Sequence, residues 1–401
     1  MRIIGYELKK IWNLKLLLVI ALISALFYYL FMAFLIDHYP NGWPATSDIE
    51  YARTLVERYG NTVTEEQVLA FAAEEREQLI TKAEKYIQNT PVFAAAGVYS
   101  YADLDALRIL QSETDDLAEL TQAQNDALWA FSFQGDHLGM YFQSLNSLES
   151  DIEWFANSIN GHSPDLWDSI NPREQSRLMQ VYESGEHNSV LHWWTYMNTT
   201  DYSFYFSVLL VLATLILVSP LIVTDRHSKL HYLQYSSKAG RRILNRQFAA
   251  TLISSIALTT AMLLVFGGIY ATNGTVIFWN SYISSVFNHG IYSTLKITYG
   301  TWVIVNIVFL YAVSLATASI AFVLSRFSNS LISLVIKLVP MCTALIFISS
   351  GLFNGLLMMN NLFYSLTRIP GMDIIICSAL GIIALTSAML VLRREKRVDL
   401  L

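Results

Sequence analysis

The sequence predicts an all-α, polytopic membrane protein with six transmembrane helices and a large helical extracellular domain between helices 1 and 2. Only 14% of the 401 residues are charged, whereas soluble domains carry about 25%. The apolar residues are concentrated in six blocks, each at least as long as the roughly 18–20 residues that cross a bilayer as a helix. One long polar stretch separates the first two blocks. Six such blocks exclude a soluble enzyme.

The apolar blocks give the order of the predicted segments along the chain. The six spans are predicted at residues 14–36, 202–224, 247–271, 297–325, 331–353 and 374–392. The remaining segments are an interfacial elbow helix at 1–13, an extracellular domain at 37–201, a cytoplasmic coupling loop at 225–246, an extracellular or interfacial segment at 272–296, an extracellular re-entrant connection at 354–373 and a cytoplasmic tail at 393–401.

The distribution of basic residues predicts the orientation. Fifteen Lys and Arg residues lie in the N-terminal segment, the 225–246 loop, the turn at Arg326 and the C-terminal tail. The short connections on the opposite side hold only Lys296 and Arg368. Because short cytoplasmic loops carry the excess of Lys and Arg, we expect a multi-pass protein of the bacterial cell membrane with both termini in the cytoplasm.

The polar stretch at 37–201 is strongly acidic and helical in pattern. It holds 27 acidic and 8 basic residues, a net charge of −19. A capping box of Thr64 and Gln67 predicts the start of a long helix, and Pro172–Glu183 reads as another. The charge is consistent either with a solvated surface or with a site for cationic ligands. No metal site is predicted, because the spacing of His187 and His192 is not the His-Glu-x-x-His pattern.

Two cytoplasmic segments carry the candidate site residues. Residues 2–12 form an amphipathic helix in which Ile3, Ile4, Leu8, Ile11 and Trp12 oppose Glu7, Lys9 and Lys10, as in helices that lie in the membrane interface. The 225–246 loop is longer than a connector requires, and it contains a short amphipathic helix with Leu230 and Leu233. An exposed helix of this kind requires a partner that covers its apolar face.

The order of features in this loop resembles the coupling-helix loop of ABC-2-type transporter permeases. An acidic residue, a short Leu-containing helix, a Ser-Ser-x-x-Gly-Arg segment and a basic entry into the next span occur in that order. The N-terminal Tyr-Glu-Leu-Lys-Lys segment, the six spans and the long external insertion are similar to the same family. The resemblance implies contacts with an ATPase subunit through Asp225, Leu230, Leu233, Ser236, Ser237, Gly240, Arg241 and Arg242, and an elbow helix built on Tyr6, Glu7, Leu8, Lys9 and Lys10.

The resemblance implies the permease subunit of an ATP-driven ABC exporter, paired as a homodimer or with a sister permease in the lipid bilayer. The chain has no phosphate-binding Gly-x-x-x-x-Gly-Lys motif. We therefore expect a non-enzyme without a cofactor of its own, with ATP and Mg²⁺ on a separate cytoplasmic ATPase subunit, and no nucleic-acid partner. The alternative is a membrane-anchored sensor or scaffold whose acidic extracellular domain binds a ligand or partner protein without transport.

Lys337 is the ionisable residue inside the predicted fifth span. An intramembrane lysine is a functional candidate by default. It lies about 11 residues past Arg326, however, near the cytoplasmic end, where its stem can extend to the interface. Snorkelling or a structural contact is therefore the alternative interpretation.

Overall fold

The computed structural model describes residues 2–37, 39, 47–113, 120–134, 138–159, 171–230, 240, 242–288 and 291–395. Helices dominate these residues, and six are long and apolar enough to cross a membrane. This confirms an all-helical, multi-pass membrane protein. The six candidate spans are Leu14–Met32, Trp193–His227, Arg242–Asn273, Tyr299–Arg326, Leu331–Phe353 and Met372–Glu395.

The helices are numbered in chain order over the described residues. In the first half they are α1 (Arg2–Ile11), α2 (Leu14–Phe27), α3 (Phe34–Asp37), α4 (Ser47–Tyr59), α5 (Glu65–Asn89), α6 (Pro91–Ala95), α7 (Tyr101–Glu113), α8 (Gln122–Phe133) and α9 (Leu138–Ile159). In the second half they are α10 (Pro172–Glu183), α11 (Trp193–Val218), α12 (Pro220–His227), α13 (Arg242–Met262), α14 (Gly268–Tyr270), α15 (Tyr299–Arg326), α16 (Leu331–Phe353), α17 (Leu362–Thr367) and α18 (Met372–Glu395).

Five of the six candidate spans differ in length from the apolar blocks, and only the fifth matches its block. The fourth runs from Tyr299 to Arg326 and the sixth from Met372 to Glu395, instead of 297–325 and 374–392. The second begins at Trp193 rather than at 202, because the aromatic residues before the apolar block continue the helix. The third begins at Arg242 rather than at 247, so Arg242 and Arg246 belong to the helix. The first ends at Met32, in a π-helical turn over Tyr28–Met32.

The chain folds into two compact units. The first, here called the span unit, comprises Met1–Gly42, Met197–Val276 and Ser293–Leu401 and holds most of each candidate span. The second, here called the acidic unit, comprises Trp43–Tyr196 and Ile277–Tyr292. Residues 43–196 include 25 acidic and 8 basic side chains.

Local sequence signals determine the helix ends of the acidic unit. Thr64 caps α5 by accepting from the Gln67 amide, and Gln67 accepts from the Thr64 amide in return. The predicted capping box is therefore confirmed. The predicted helix at Pro172–Glu183 is α10, and it is capped by Asn171. The apolar face of α5 is buried through Val68, Phe71, Ala72, Leu79, Ala83 and Ile87.

A distant segment completes the acidic unit. Thr62 and Ser189 form an antiparallel bridge, and Ser189 is fully buried. The Ser189 hydroxyl donates to the Asn61 carbonyl at 3.0 Å and accepts from the Tyr282 amide at 2.6 Å. The Ser285 hydroxyl donates to the Ser189 carbonyl. Residues 277–292, predicted as part of an extracellular or interfacial segment, therefore pack into this unit.

The connection before the last span is a buried turn followed by α17. Leu356, Leu357 and Met358 are buried, and Leu357 adopts a positive φ of 62°. Asp373, at the start of α18, accepts from the Leu357 amide, and the Trp302 indole donates to the Leu356 carbonyl at 2.8 Å. These bonds satisfy backbone groups that would be costly to bury unpaired.

Candidate functional site

The elbow helix α1 packs on the start of α13. Ile11 is buried, and Ile4, Leu8 and Trp12 pack against the core of the span unit, as the apolar spacing predicts. The Trp12 indole donates to the Ser254 hydroxyl at 3.1 Å. Trp12 therefore joins the apolar face of α1 to the third span.

Glu7 does not lie on the polar face where the sequence pattern put it. Its exposed fraction is 4%, while Tyr6 on the same helix is 68% exposed. A carboxylate is costly to bury unless it is paired and hydrogen-bonded. Its partners are Lys10, one turn further along α1, and Gln247, which lies 240 residues away. The periodicity of α1 does not predict the contact with Gln247.

Glu7, Lys10, Asp225 and Gln247 form a compact polar group, here called the Lys10 cluster. The Lys10 ammonium lies 3.1 Å from the Glu7 Oε1 and 3.1 Å from both carboxylate oxygens of Asp225. The Gln247 amide donates to Asp225 at 2.7 Å and to Glu7 at 3.2 Å. Asp225 is 4% exposed and Gln247 is 2% exposed. One ammonium and one amide therefore bridge two buried carboxylates.

The cluster changes the proton affinity of Lys10. Burial disfavours the charged ammonium, but the charge of Asp225 and the hydrogen bond and charge of Glu7 favour it more strongly. The net result is that the pKa of Lys10 is raised above its ordinary value of 10.5. Lys10 is therefore a permanent cation at neutral pH and holds α1 to the end of α12.

The cluster joins both flanks of the predicted coupling loop. Asp225 is the first residue of the predicted loop and lies on α12, and Gln247 lies in the second turn of α13, just after the loop. Arg226 connects α12 to another part of the span unit, donating to the Ser328 carbonyl at 2.9 Å and to Asn329 at 3.1 Å. The residues that frame the loop are thus linked to α1 and to the turn between α15 and α16.

Lys337 and Arg326 support that same turn. The Lys337 ammonium donates to the Phe327 carbonyl and lies 3.4 Å from the Ser328 hydroxyl. The sequence left two interpretations of Lys337, a functional residue or a structural contact, and this hydrogen bond is a structural contact. Arg326 pairs with Glu395 at the end of α18. Polar contacts at these helix ends therefore connect α12, α15, α16 and α18.

A cavity of about 260 Å³ lies beside the Lys10 cluster. Its polar wall includes Lys10, Asn13 and Asp225, and its apolar wall includes Leu16, Leu217 and Leu230. Leu230 is 38% exposed, so this predicted contact residue is partly accessible.

The remaining predicted site residues lie on α1, at the end of the predicted loop, or outside the described residues. On α1, Lys9 is exposed and Leu8 is half-buried. At the end of the loop, Gly240 has a positive φ of 46°, and Arg242 begins α13 with an exposed side chain. Other predicted contact residues lie outside the described residues: Leu233, Ser236, Ser237 and Arg241.

A buried hydroxyl cluster in the span unit was not singled out from the sequence. The Ser314 hydroxyl lies 2.7 Å from that of Ser255, 2.9 Å from that of Thr259 and 3.2 Å from that of Thr214. All four residues are at most 1% exposed. Hydrogen bonds of this kind hold transmembrane helices together, here α11, α13 and α15. The four-residue spacing of Ser255 and Thr259 within an apolar block is the signal that could have indicated it.

Comparisons with protein-family models, curated proteins and solved structures find no match to this chain.

Proposed function

We propose that this chain is the permease subunit of an ATP-driven exporter of the ABC-2 type. The 225–246 loop docks on a separate cytoplasmic ATPase subunit, which carries ATP and Mg²⁺. A second permease, identical or a sister chain, completes the transport unit in the cell membrane. Both termini lie in the cytoplasm and the acidic unit lies outside the cell.

The observation that carries the proposal is the Lys10 cluster. Its hydrogen bonds connect Asp225 and Gln247, on the two flanks of the loop, with Glu7 and Lys10 on the elbow helix. Separating buried charged partners is costly, because each would remain desolvated without its counter-charge. A force applied to the loop would therefore move α1, α12 and α13 together, as coupling to an ATPase requires.

The proposal is tested by purifying the full-length protein from its native membranes in mild detergent. We expect an ATPase subunit with a phosphate-binding loop to co-purify in a fixed ratio, identified by mass spectrometry and by ATP hydrolysis. Leu230→Asp should weaken this association more than tenfold, because burying a leucine contributes about 1.5–3 kcal/mol and a buried unpaired carboxylate adds a penalty. Leu230→Met keeps an apolar side chain and is the matched control.

Two results would contradict the proposal. If Leu230→Asp retains the ATPase at the wild-type ratio, the loop is not the docking element. If the wild-type protein retains no ATPase, the sensor or scaffold function replaces the transporter.

The orientation has its own prediction. We expect Tyr99→Cys, at a position that is 68% exposed, to react with a membrane-impermeant thiol reagent on intact cells. Ser228→Cys should react only after the cells are opened. Both are made in a chain whose Cys342 and Cys377 are replaced by Ser. Labelling of Ser228→Cys on intact cells would reverse the proposed orientation.

A further inference from the structure

The outer face of α8 exposes two neighbouring aromatic rings. Trp129 is 55% exposed and Phe133 is 44% exposed, with their ring centroids 6.0 Å apart. One turn earlier, Asp126 accepts a hydrogen bond from the Gln122 amide at 2.8 Å. Residues 122, 126, 129 and 133 share one helix face by their spacing. These four residues are here called the Trp129 stripe.

The opposite face of α8 is anchored in the core. Ala127, Leu128, Ala130 and Phe131 are buried. The Phe131 and Phe142 rings are stacked with their centroids 6.1 Å apart, and the Arg108 guanidinium lies 6.0 Å from the Phe131 ring centroid. The stripe is therefore presented by a helix whose inner face already has its partners, and contiguous exposed aromatic residues are typical of binding surfaces.

The charge of the acidic unit selects the kind of partner. Residues 43–196 contain 25 acidic and 8 basic side chains. The described ion pairs already join Arg53, Arg58, Arg76 and Arg177 to glutamates of the same unit. The surface surplus is therefore negative, so it repels a second copy of this unit and an anionic lipid surface alike, and it attracts cations.

We propose that the Trp129 stripe is a docking surface for a cationic amphipathic peptide segment. Apolar side chains of the peptide cover Trp129 and Phe133, and its Lys or Arg side chains pair with Asp126 and interact with the face of the Trp129 ring. The net negative charge of the acidic unit accelerates the encounter. This proposal goes beyond the ATPase-coupled function and does not depend on it.

The test uses the full-length protein in phosphatidylcholine nanodiscs and a fluorescent synthetic peptide of Leu and Lys, ordered to form one apolar helix face. Fluorescence anisotropy is measured against empty nanodiscs. We expect saturable binding that is at least about tenfold weaker for Trp129→Ala/Phe133→Ala, because both aromatic contacts are lost. Trp129→Phe retains an aromatic ring and should remain within about threefold of wild type.

Two matched controls separate the stripe from the rest of the unit. Leu69 on α5 is 43% exposed, and it lies about 25 Å along that helix from Tyr86, whose hydroxyl contacts the Ala130 carbonyl. Leu69→Ala should leave binding unchanged. Asp126→Asn should weaken binding about threefold at low salt and have less effect at high salt, because salt screens exposed charges.

Four results would overturn the proposal. One is equal binding of the peptide to the double variant. Another is equal binding of a scrambled peptide with the same composition, which would indicate attraction by charge alone. A third is no binding above the empty-nanodisc signal. The fourth is evidence that the stripe has another occupant. That evidence is either self-association of the wild-type protein that is lost on replacing Trp129, or binding of the protein to anionic vesicles through Trp129.

Discussion

Replacing Arg177 with Met is expected to destabilise the acidic unit by about 3 kcal/mol, because it leaves a buried carboxylate without its counter-charge. The Arg177 guanidinium donates to both carboxylate oxygens of Glu186, at 3.0 and 2.7 Å. The two side chains are 11% and 1% exposed. Glu186 also accepts a hydrogen bond from the Ser184 hydroxyl at 2.9 Å.

The destabilisation should be local. Glu186 lies just before Ser189, which holds residues 61–62 and 282–285 together. Hydrogen exchange measured by mass spectrometry on the full-length protein should therefore increase over residues 182–192 and 277–287. The double variant Arg177→Met/Glu186→Gln should recover most of the stability, because no unpaired charge remains.

Arg58→Met is the matched control. Arg58 makes the same bidentate ion pair with Glu74, at 2.7 and 3.1 Å, but these two side chains are 39% and 50% exposed. Exposed ion pairs contribute little because water solvates the separated charges. If both variants lose equal stability, burial is not what makes the Arg177 pair important.

The elements that the sequence predicts best are those determined by neighbouring residues. The six apolar helices follow from composition, and the capping box of Thr64 and Gln67 follows from a spacing of three residues. The start of α10 follows from Asn171 and Pro172, a cap residue and a favoured first helical residue.

The parts that the sequence does not predict depend on distant partners. The Glu7 contact with Gln247 spans 240 residues, and the Lys10 contact with Asp225 spans 215. Taken alone, Glu7 and Lys10 are typical of a polar helix face, Asp225 of a charged loop and Gln247 of the start of an apolar span. The inclusion of residues 277–292 in the acidic unit is similar, because it depends on hydrogen bonds to Ser189. Helix periodicity contains no information on such pairings.

Replacing Lys10 with Met is expected to destabilise the span unit and to remove the ion pair between α1 and α12. It leaves the carboxylates of Glu7 and Asp225 facing each other, each with a side chain that is 5% exposed. We expect a loss of about 2–3 kcal/mol, less than the roughly 3–5 kcal/mol of fully buried pairs because the Lys10 side chain is 35% exposed. Thermal unfolding in nanodiscs measures it.

Lys9→Met is the matched control for this change. Lys9 precedes Lys10 on the same helix and is exposed, so its replacement removes the same charge from the N-terminal segment without affecting the cluster. We expect little loss of stability. Equal losses for Lys9→Met and Lys10→Met would contradict the role assigned to the cluster.

The pH dependence gives a second measurement on Lys10. Because its pKa is raised in the folded protein, its contribution to stability is fully present below the ordinary value of 10.5 and is lost as the pH rises through the folded-state value. The stability difference between wild type and Lys10→Met should therefore be constant from pH 7 to about 9 and decrease above about 10.5.

The triple variant Glu7→Gln/Lys10→Met/Asp225→Asn separates stability from coupling. It has no unpaired buried charge, so we expect it to recover most of the lost stability and to retain the co-purifying ATPase. The ion pairs that bind α1 to α12 are nevertheless gone.

In the wild-type complex, adding ATP should change hydrogen exchange in α1 and α12 together, because the Lys10 cluster makes them move as one element. In the triple variant the change in α12 should persist while the change in α1 is lost. A concerted change that survives in the triple variant would mean that the motion passes through apolar packing, such as that of Trp12 on α13, rather than through the Lys10 cluster.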